Sequence, residues 1–318
     1  MKIIVTGAAG FIGSHLCERL LRDPSNEIVG IDCFLDSGTP PWIRERNIRD
    51  LLAHPRFAMH RSHLLQIDWD PILPGTDVVI HLAGVPGVRS SWGGDFTAYV
   101  TNNVLVTQSL LEACRKHPVR KFIYGSTSSV YGEKTGKVSE DAEVVPLSPY
   151  GVSKLSGEHL CRVYQLNDAL PVAILRFFTV YGPRQRPDMA FHRFIRRILA
   201  REPIPVFGNG EQSRDFTFVE DCVAGIAAAA YADGILGETI NIGGKERASV
   251  LQCVSLLEEA FGSPAHIEFA GPVSGEPHST WADISKARRL LGYDPKVSLR
   301  EGLRREIADL RDLYTGLL

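Results

Sequence analysis

The stretch from residue 1 to residue 32 constrains the fold of this chain most. A short apolar strand is predicted over residues 2–6 and leads into G-A-A-G-F-I-G, which has glycines at 7, 10 and 13. An amphipathic helix is predicted over residues 14–22, and a second apolar strand over residues 27–31 ends at Asp32. This order of strand, glycine turn, helix, strand and acid is typical of a dinucleotide-binding βαβ unit, here with G-x-x-G-x-x-G spacing.

Each glycine of this turn has its own predicted role. Gly7 permits a tight turn, Gly10 lets the backbone approach a pyrophosphate, and Gly13 lets the helix pack against the strand. The phosphates are expected at the helix N-terminus, where backbone N–H groups lack helical partners. Asp32 would accept hydrogen bonds from the adenosine ribose and repel a 2′-phosphate, so NAD is favoured over NADP. The predicted cofactor-binding residues are Gly7, Gly10, Phe11, Ile12, Gly13, Asp32, Leu64, Leu82, Ala83, Asn102, Tyr150 and Lys154.

Strands and helices are predicted to alternate through the first 180 residues. Apolar strands at 78–82, 121–124 and 172–176 are separated by helices at roughly 96–116 and 150–167. This alternation predicts an α/β fold, a doubly wound parallel Rossmann sheet covered on both faces. Ligands of such a sheet lie at the carboxyl ends of the strands, so the polar residues that follow those ends are expected to share one rim.

The pattern changes after Tyr181, where a loop rich in proline and charge precedes shorter elements. A helix at 219–231 and a strand at 239–242 are predicted to return to the parallel sheet, and helices are predicted near 191–201, 250–261, 284–291 and 299–318. We therefore expect a Rossmann domain of residues 1–180 plus about 218–243. Residues 181–217 and 244–318 are expected to form a smaller α/β C-terminal substrate domain.

Composition excludes several classes of function. The 318-residue chain has a net charge of −2, which gives no electrostatic reason to expect nucleic acid or an anionic membrane as a partner. No apolar run reaches the roughly 18 residues of a membrane span, and no secretory signal is predicted. The six cysteines are scattered without C-x-x-C, so they are expected to be reduced core residues of a cytoplasmic protein, and no metal site is predicted.

The candidate catalytic residues lie between positions 125 and 154. The run G-S-T-S-S-V-Y-G begins at Gly125, and Y-G-V-S-K places Tyr150 and Lys154 four residues apart, on one face of a helix. Lowering the pKa of a phenol from about 10 to roughly 7 needs about 4 kcal/mol, which a nearby cation can help to supply. A solvated helix face is the alternative interpretation of this spacing.

Together these runs resemble a known family. T-G-A-A-G-F-I-G, H-L-A-G, S-T-S-S-V-Y-G, Y-G-V-S-K, R-F-F-T-V-Y-G-P and S-R-D-F-T-F-V-E-D, in this order, are similar to the extended short-chain dehydrogenase/reductases, and within them to NAD-dependent nucleotide-sugar epimerases. The resemblance implies a Rossmann domain that holds NAD and a smaller domain that holds a UDP-sugar. It also implies a homodimer formed through the helices that begin near Phe96 and Tyr150.

The resemblance implies a mechanism for three residues. Tyr150, as phenolate, would take the proton of a sugar hydroxyl while hydride leaves the same carbon for NAD. Lys154 would hold the nicotinamide ribose and lower the pKa of Tyr150, and Thr127 would bridge the sugar oxygen to Tyr150. The ketone formed would rotate and be reduced on its other face, which inverts the carbon and regenerates NAD.

Two serines separate epimerisation from related reactions. Where 4,6-dehydratases of this family carry an acid pair after the threonine, this chain has Ser128 and Ser129, and UDP-glucuronate decarboxylases carry a glutamate at the second position. A serine hydroxyl cannot replace a carboxyl group as acid or base near neutral pH. Epimerisation needs neither acid, although the two serines could instead only cap a turn.

The run from Arg176 to Met189 resembles UDP-glucuronate 4-epimerases, as does G-V-R-S-S at 87–91. A uronate carboxylate would be bound by Ser128, Ser129 and Thr179 and by one guanidinium, for which Arg186 is favoured over Arg184. The alternative is a solvated loop with two ordinary arginines. UDP-glucose/UDP-galactose epimerisation, UDP-glucuronate decarboxylation, NDP-sugar 4,6-dehydration and a non-catalytic NAD-binding sensor also remain open.

The chain departs from galactose epimerases at several nucleotide contacts. His63 stands where many relatives have an Asp, and Pro86 where galactose epimerases have a Lys. V-S-G-E at 273–276 replaces R-P-G-D, which leaves Arg214 as the main predicted cation for the diphosphate and Glu276 as the ribose-binding acid. A structural ion pair of Arg214 with Asp215 or Asp221 is the alternative.

Overall fold

A computed structural model describes residues 1–271 and 275–315. The strands within these ranges are β1 (Lys2–Thr6), β2 (Glu27–Asp32), β3 (Phe57–Arg61), β4 (Val78–His81), β5 (Lys121–Thr127), β6 (Val172–Phe177), β7 (Val180–Tyr181), β8 (Ile204–Phe207), β9 (Ser213–Phe218), β10 (Thr239–Ile242), β11 (Glu246–Ser249) and β12 (Ile267–Ala270). The α-helices are α1 (Phe11–Leu21), α2 (Pro41–Ile48), α3 (Phe96–Tyr99), α4 (Val106–Lys116), α5 (Pro149–Asp168), α6 (Ala190–Leu199), α7 (Val219–Tyr231), α8 (Val250–Phe261), α9 (Ser285–Leu291) and α10 (Leu299–Tyr314).

The central sheet has seven parallel strands in the order β10-β6-β5-β4-β1-β2-β3. The chain adds strands on one side of β1 as far as β3 and then crosses to β4 on the other side, so the strand order reverses between β1 and β4. A crevice at the carboxyl ends of the strands forms at this reversal in doubly wound sheets. The predicted Rossmann fold is confirmed, and β10 returns to the sheet beside β6 as expected.

Burial explains why the middle strands are apolar throughout. Every residue of β4 is buried, and β5 is buried from Lys121 to Ser126, because helices cover both faces of the sheet. One apolar cluster extends from β1 and α1 across α7 to α8 and α10, so the later elements share a core with the sheet. Two smaller sheets complete the fold: β11-β9-β7 and β12-β8.

Several elements differ from their predicted bounds. Helix α1 begins at Phe11, three residues before the predicted start, because Gly10 has extended backbone angles and already caps the helix. The predicted helix at 96–116 contains a π-helical turn over Val100–Leu105 between α3 and α4. Strands β3, β7, β9, β11 and β12 and helix α2 were not predicted. No α-helix within residues 1–271 and 275–315 is long and apolar enough to cross a membrane.

Candidate active site

The crevice at the strand reversal is a cleft above the glycine turn, called here the glycine cleft. Every residue predicted to bind the cofactor lines it: Gly7, Gly10, Phe11, Ile12, Gly13, Asp32, Leu64, Leu82, Ala83, Asn102, Tyr150 and Lys154. Gly7 has φ +72°, which favours glycine, and its N–H donates to Ile31 O at 2.8 Å. A Cβ on Gly13 would lie 2.1 Å from Gly7 O, so only glycine permits this packing of helix on strand.

Asp32 is held by backbone donors at the end of β2. Its Oδ2 accepts from Ala9 N at 3.1 Å, and its Oδ1 accepts from Phe34 N at 2.8 Å. Arg44 of α2 lies 3.5 Å from Oδ2 and also lines the glycine cleft. Sequence reasoning missed Arg44, because no helix was predicted over α2.

The π-helical turn brings two asparagines to the cleft. Asn102 Oδ1 accepts from Nε2 of His63, whose Nδ1 accepts from Leu65 N, so these contacts fix the tautomer of the imidazole. Asn103 holds the loop after β4 in place, since it bonds both backbone groups of Val85 at 2.7 and 3.0 Å. His63, which departs from the family pattern, thus supports a predicted cofactor residue.

A second cavity adjoins the glycine cleft and is called the arginine cavity. It is lined by every residue predicted to bind substrate: Thr127, Ser128, Ser129, Thr179, Arg186, Arg214 and Glu276. Tyr150 and Arg186 line both spaces and therefore lie where the two meet. Arg89 and Arg193 also line the cavity and stack on the Phe207 ring, with guanidinium carbons 4.3 and 5.7 Å from its centroid.

Tyr150 lies in the first turn of α5. The helix begins where it does because Ser148 accepts from Gly151 N at 3.1 Å and Pro149 occupies the first helical position. Burial raises the pKa of Tyr150, while the charge of Arg186 and a hydrogen bond with Thr127 oppose that rise. In the protein alone Tyr150 is therefore a phenol at neutral pH.

Lys154 is not among the groups that shift the pKa of Tyr150 in the protein alone, so its effect on that pKa stays a prediction for the NAD-bound site. Lys154 is buried, and its Nζ lies over the Tyr124 ring, 4.3 Å from the centroid. Burial lowers the pKa of Lys154 to about 8. The charge that opposes the rise in the pKa of Tyr150 belongs to Arg186, a residue predicted only as a substrate contact.

The two serines and Thr127 form a short turn at the end of β5. Thr127 Oγ1 accepts from Ser129 N at 3.2 Å and donates to Ser129 Oγ at 3.2 Å, so the residue that caps the turn is Thr127. The serines are thus free of the capping role considered for them, and both line the cavity. Among the described cavity-lining residues the carboxylates are Asp188 and Glu276, and each is paired with arginine.

A buried ion pair supports this turn from below. Arg176 of β6 binds Glu158 of α5 through two bonds, Nε to Oε1 at 2.9 Å and Nη2 to Oε2 at 2.6 Å. The hydroxyl of Ser126, next to Thr127, donates to Glu158 Oε1. Both charged side chains are buried, so the pair fixes α5 against β6, and the Ser126 bond fixes α5 against the end of β5.

The structure distinguishes Arg186 from Arg184. Arg186 lines both cavities, whereas Arg184 turns toward α1 and binds Glu18 at 2.7 Å. Helix α10 holds the turn that carries both arginines, because Glu306 accepts from Gly182 N at 2.9 Å and Asp309 accepts from Arg184 N at 2.8 Å. Neither Glu306 nor Asp309 is among the residues that line the two cavities.

Arg214 and Glu276, both predicted to bind the nucleotide, belong to a larger group of charged residues. Arg214 binds Glu276 at 3.1 Å, and the acids considered as its structural partners bind backbone N–H groups instead. Glu276 is also bound by Arg89 at 2.7 Å, and with Arg193 these make three arginines that line the cavity in addition to Arg186. Arg214 is therefore one of three candidate cations. Val273 and Ser274 lie outside the described residues.

Comparison with known proteins identifies the family. A profile of the NAD dependent epimerase/dehydratase family matches residues 3–243. The chain belongs to this family. A structure of UDP-glucuronic acid 4-epimerase from Bacillus cereus, in complex with UDP-glucuronic acid and NAD, is 56% identical in sequence to this family member. The match covers 99% of this chain and 100% of that chain, with a TM-score of 0.97.

Two curated relatives of this epimerase/dehydratase family member carry different substrate names. An uncharacterized UDP-glucose epimerase of Bacillus subtilis (strain 168), YtcB, is 56% identical over 316 residues, which cover 99% of this chain and all of that protein. A UDP-glucuronate 4-epimerase of Thermodesulfobacterium geofontis is 36% identical over 309 residues, covering 96% and 94%. Sequence identity alone therefore does not determine which sugar nucleotide is the substrate.

The glycine cleft of this epimerase/dehydratase family member fits a dinucleotide. The N-terminus of α1 has no side-chain cap, so its first N–H groups are available to a pyrophosphate. The backbone of Gly7 approaches Ala83 so closely that a Cβ on Gly7 would lie 2.9 Å from Ala83 N. Asp32 lies at the next strand end, as ribose recognition requires.

Proposed function

We propose that this protein is an NAD-dependent 4-epimerase that interconverts UDP-glucuronate and UDP-galacturonate. The proposal depends above all on one arrangement: Tyr150 and Arg186 lie where the two cavities meet, beside two serines, and each described carboxylate of the arginine cavity is paired with arginine. A base, an anion-binding guanidinium and neutral hydroxyls suit the reversible oxidation of a uronate. The twelve cofactor contacts and seven substrate contacts predicted above are proposed as the site.

The chain's own residues would move and guide the proton. Tyr150 would take the proton of the sugar 4-hydroxyl and return it after the keto sugar has rotated. Thr127 would bridge the sugar oxygen and the Tyr150 oxygen. NAD, when bound, supplies hydride acceptance and return at the same sugar carbon. Lys154 would bind the ribose next to the nicotinamide. The phenolate would be favoured by Arg186 and by a hydrogen bond from Thr127, whose hydroxyl would turn from Ser129 to donate it. Both oppose the effect of burial on the pKa of Tyr150.

The lack of an unpaired acid among the described residues of the arginine cavity would protect the keto sugar. A 4-ketouronate is a β-keto acid. Such an acid loses carbon dioxide readily when the C–C bond to its carboxylate aligns with the π system of the ketone. Arg186 would hold that carboxylate with a planar pair of donors, and Ser128, Ser129 and Thr179 would add hydroxyl groups. Elimination of water would need an acid at position 128 or 129, where this chain has serine.

The rest of the substrate would occupy the arginine cavity. Arg89, Arg193 and Arg214 would neutralise the diphosphate, while Glu276 would bind the uridine ribose. Residues 1–180 with about 218–243 would form the NAD-binding domain, and residues 181–217 with 244–318 the nucleotide-sugar domain. This division is supported by the position of the glycine cleft on the parallel sheet.

A homodimer and a cytoplasmic location complete the proposal. The helices proposed for the dimer expose apolar side chains, with Leu105, Val152, Val163 and Leu166 between 46% and 82% accessible. Burying such a set would stabilise a symmetric contact. The described cysteines are all unpaired, which suits a reducing compartment.

Turnover of UDP-glucuronate tests the function directly. The NAD-loaded protein should convert it to UDP-galacturonate without releasing carbon dioxide, as measured by chromatography of the sugar nucleotides. A UDP-pentose product would overturn the proposal. Arg186→Ala should reduce uronate turnover far more than hexose turnover, whereas Arg49→Ala, which changes an exposed arginine of the protein surface, should change neither.

UDP-glucose/UDP-galactose epimerisation is the second candidate. It is favoured by the name of the Bacillus subtilis relative and by the engagement of Arg186 with Asp188. The same assay with UDP-glucose separates the two, because equal loss of both activities in Arg186→Ala would count against a carboxylate-binding role.

A further inference from the structure

The guanidinium proposed to bind the sugar carboxylate already binds a carboxylate of the chain. Arg186 donates through Nε to Asp188 Oδ1 at 2.9 Å and through Nη2 to Oδ2 at 3.0 Å. This is a two-bond contact between planar groups, the same geometry that a uronate carboxylate would use. Asp188 also lines the arginine cavity, so both partners of the pair face the substrate space.

The backbone that carries this pair is fixed while one partner remains exposed. Glu306 and Asp309 hold the turn from α10, and Nδ1 of His192 bonds Gln185 O at 2.6 Å. The Asp188 side chain, in contrast, is 42% accessible to solvent. Asp188 can therefore leave Arg186 without a change in the turn.

The other cavity carboxylate does not compete for Arg186. Glu276 is bound by Arg89 at 2.7 Å and by Arg214 at 3.1 Å. Arg184 cannot replace Arg186, because its guanidinium is paired with Glu18. The pairing of Arg186 thus depends on Asp188 and on whatever anion enters the cavity.

We propose that Asp188 is a specificity-determining residue that occupies Arg186 in place of the sugar carboxylate until a uronate displaces it. This inference rests on the proposed function. Exchange of one carboxylate for another keeps the guanidinium paired throughout, so the entry of a uronate leaves no buried charge uncompensated. The neutral C6 hydroxymethyl group of a hexose offers no such exchange. It therefore meets a guanidinium that is still bound to Asp188.

A purely orienting role for Asp188 predicts the opposite result. In that case Arg186 would keep its bonds to Asp188 and use its remaining N–H groups for the substrate. Removing the charge of Asp188 would then weaken uronate binding, because the guanidinium would lose its support. In the exchange role, removing that charge strengthens uronate binding, because a competitor and a like charge are both lost.

Calorimetric titration of the NAD-loaded protein distinguishes these roles. Asp188→Asn keeps the shape of the side chain and removes its charge. We expect UDP-glucuronate to bind about two- to fivefold more tightly to this variant, the range for a partly exposed ion pair, and UDP and UDP-glucose to bind as before. The gain should vanish in an Arg186→Gln background. Asp294→Asn, at an exposed pair with Lys296, is the matched control and should have no effect.

Each outcome decides the inference. Unchanged or weaker binding of UDP-glucuronate to Asp188→Asn, or an equal gain for UDP, would overturn it. Wild-type protein that binds UDP-glucuronate without converting it would refute the proposed function only, and tighter binding to Asp188→Asn would still support the exchange. If the wild-type protein and Asp188→Asn both bind UDP-glucuronate no better than UDP, the exchange is refuted together with the proposed function.

Discussion

Breaking the buried ion pair beneath the turn of Thr127 should cause a large loss in the free energy of unfolding. Glu158 and Arg176 have side chains only 5% and 7% accessible, and two bonds of 2.9 and 2.6 Å join them. Glu158→Gln preserves the shape but leaves the charge of Arg176 buried without a counter-charge. Breaking a buried pair in this way costs about 3–5 kcal/mol.

The loss is large enough to measure in two ways. For a chain of this size, a loss of that order lowers the melting temperature by about 5–8 °C. Urea unfolding of NAD-loaded protein would give the free energy directly, provided that the slope with urea is unchanged. Turnover should also fall at temperatures where the variant is folded, because Ser126 loses its charged acceptor next to Thr127.

Two further variants make the test specific. Glu301→Gln removes an exposed carboxylate that Arg305 binds at 2.9 Å on α10, and such a pair contributes about 0.5 kcal/mol or less. Glu158→Leu combined with Arg176→Met removes both buried charges and should restore much of the lost stability. If Glu158→Gln costs no more than Glu301→Gln, the pair does not stabilise the fold as argued.

Three other predictions concern the site. Tyr150→Phe should lower turnover about 10²–10⁴-fold, with NAD content and UDP-sugar binding retained, and activity that persists would mean another base. Gly13→Ala should purify without nucleotide, measured by absorbance, because its Cβ would lie 2.1 Å from Gly7 O; Gly94→Ala, with open space around it, should keep NAD. Arg186→Gln should move the acidic limb of kcat/KM for UDP-glucose to higher pH, because Arg186 lowers the pKa of Tyr150, and an unmoved limb would contradict this.

Local chemistry made much of the fold and of the two cavities predictable. The glycine turn, Asp32 and the strand ends are encoded over short stretches, and parallel strands necessarily bring their carboxyl ends to one rim. Arg89 and Arg193 could not be found in this way, because they stack on Phe207 only after separate elements have packed. The pKa of Tyr150 likewise depends on packing, which brings the charge of Arg186 from another loop to act on it.

Helix α10 holds the turn of Arg186 by two backbone bonds without lining either cavity. Substitutions on that helix can therefore change which sugar nucleotide the protein prefers, even when every residue that contacts the ligand is conserved. Mutant libraries restricted to the walls of the pocket would overlook this route, and so would attempts to infer the substrate of a homologue from pocket residues alone.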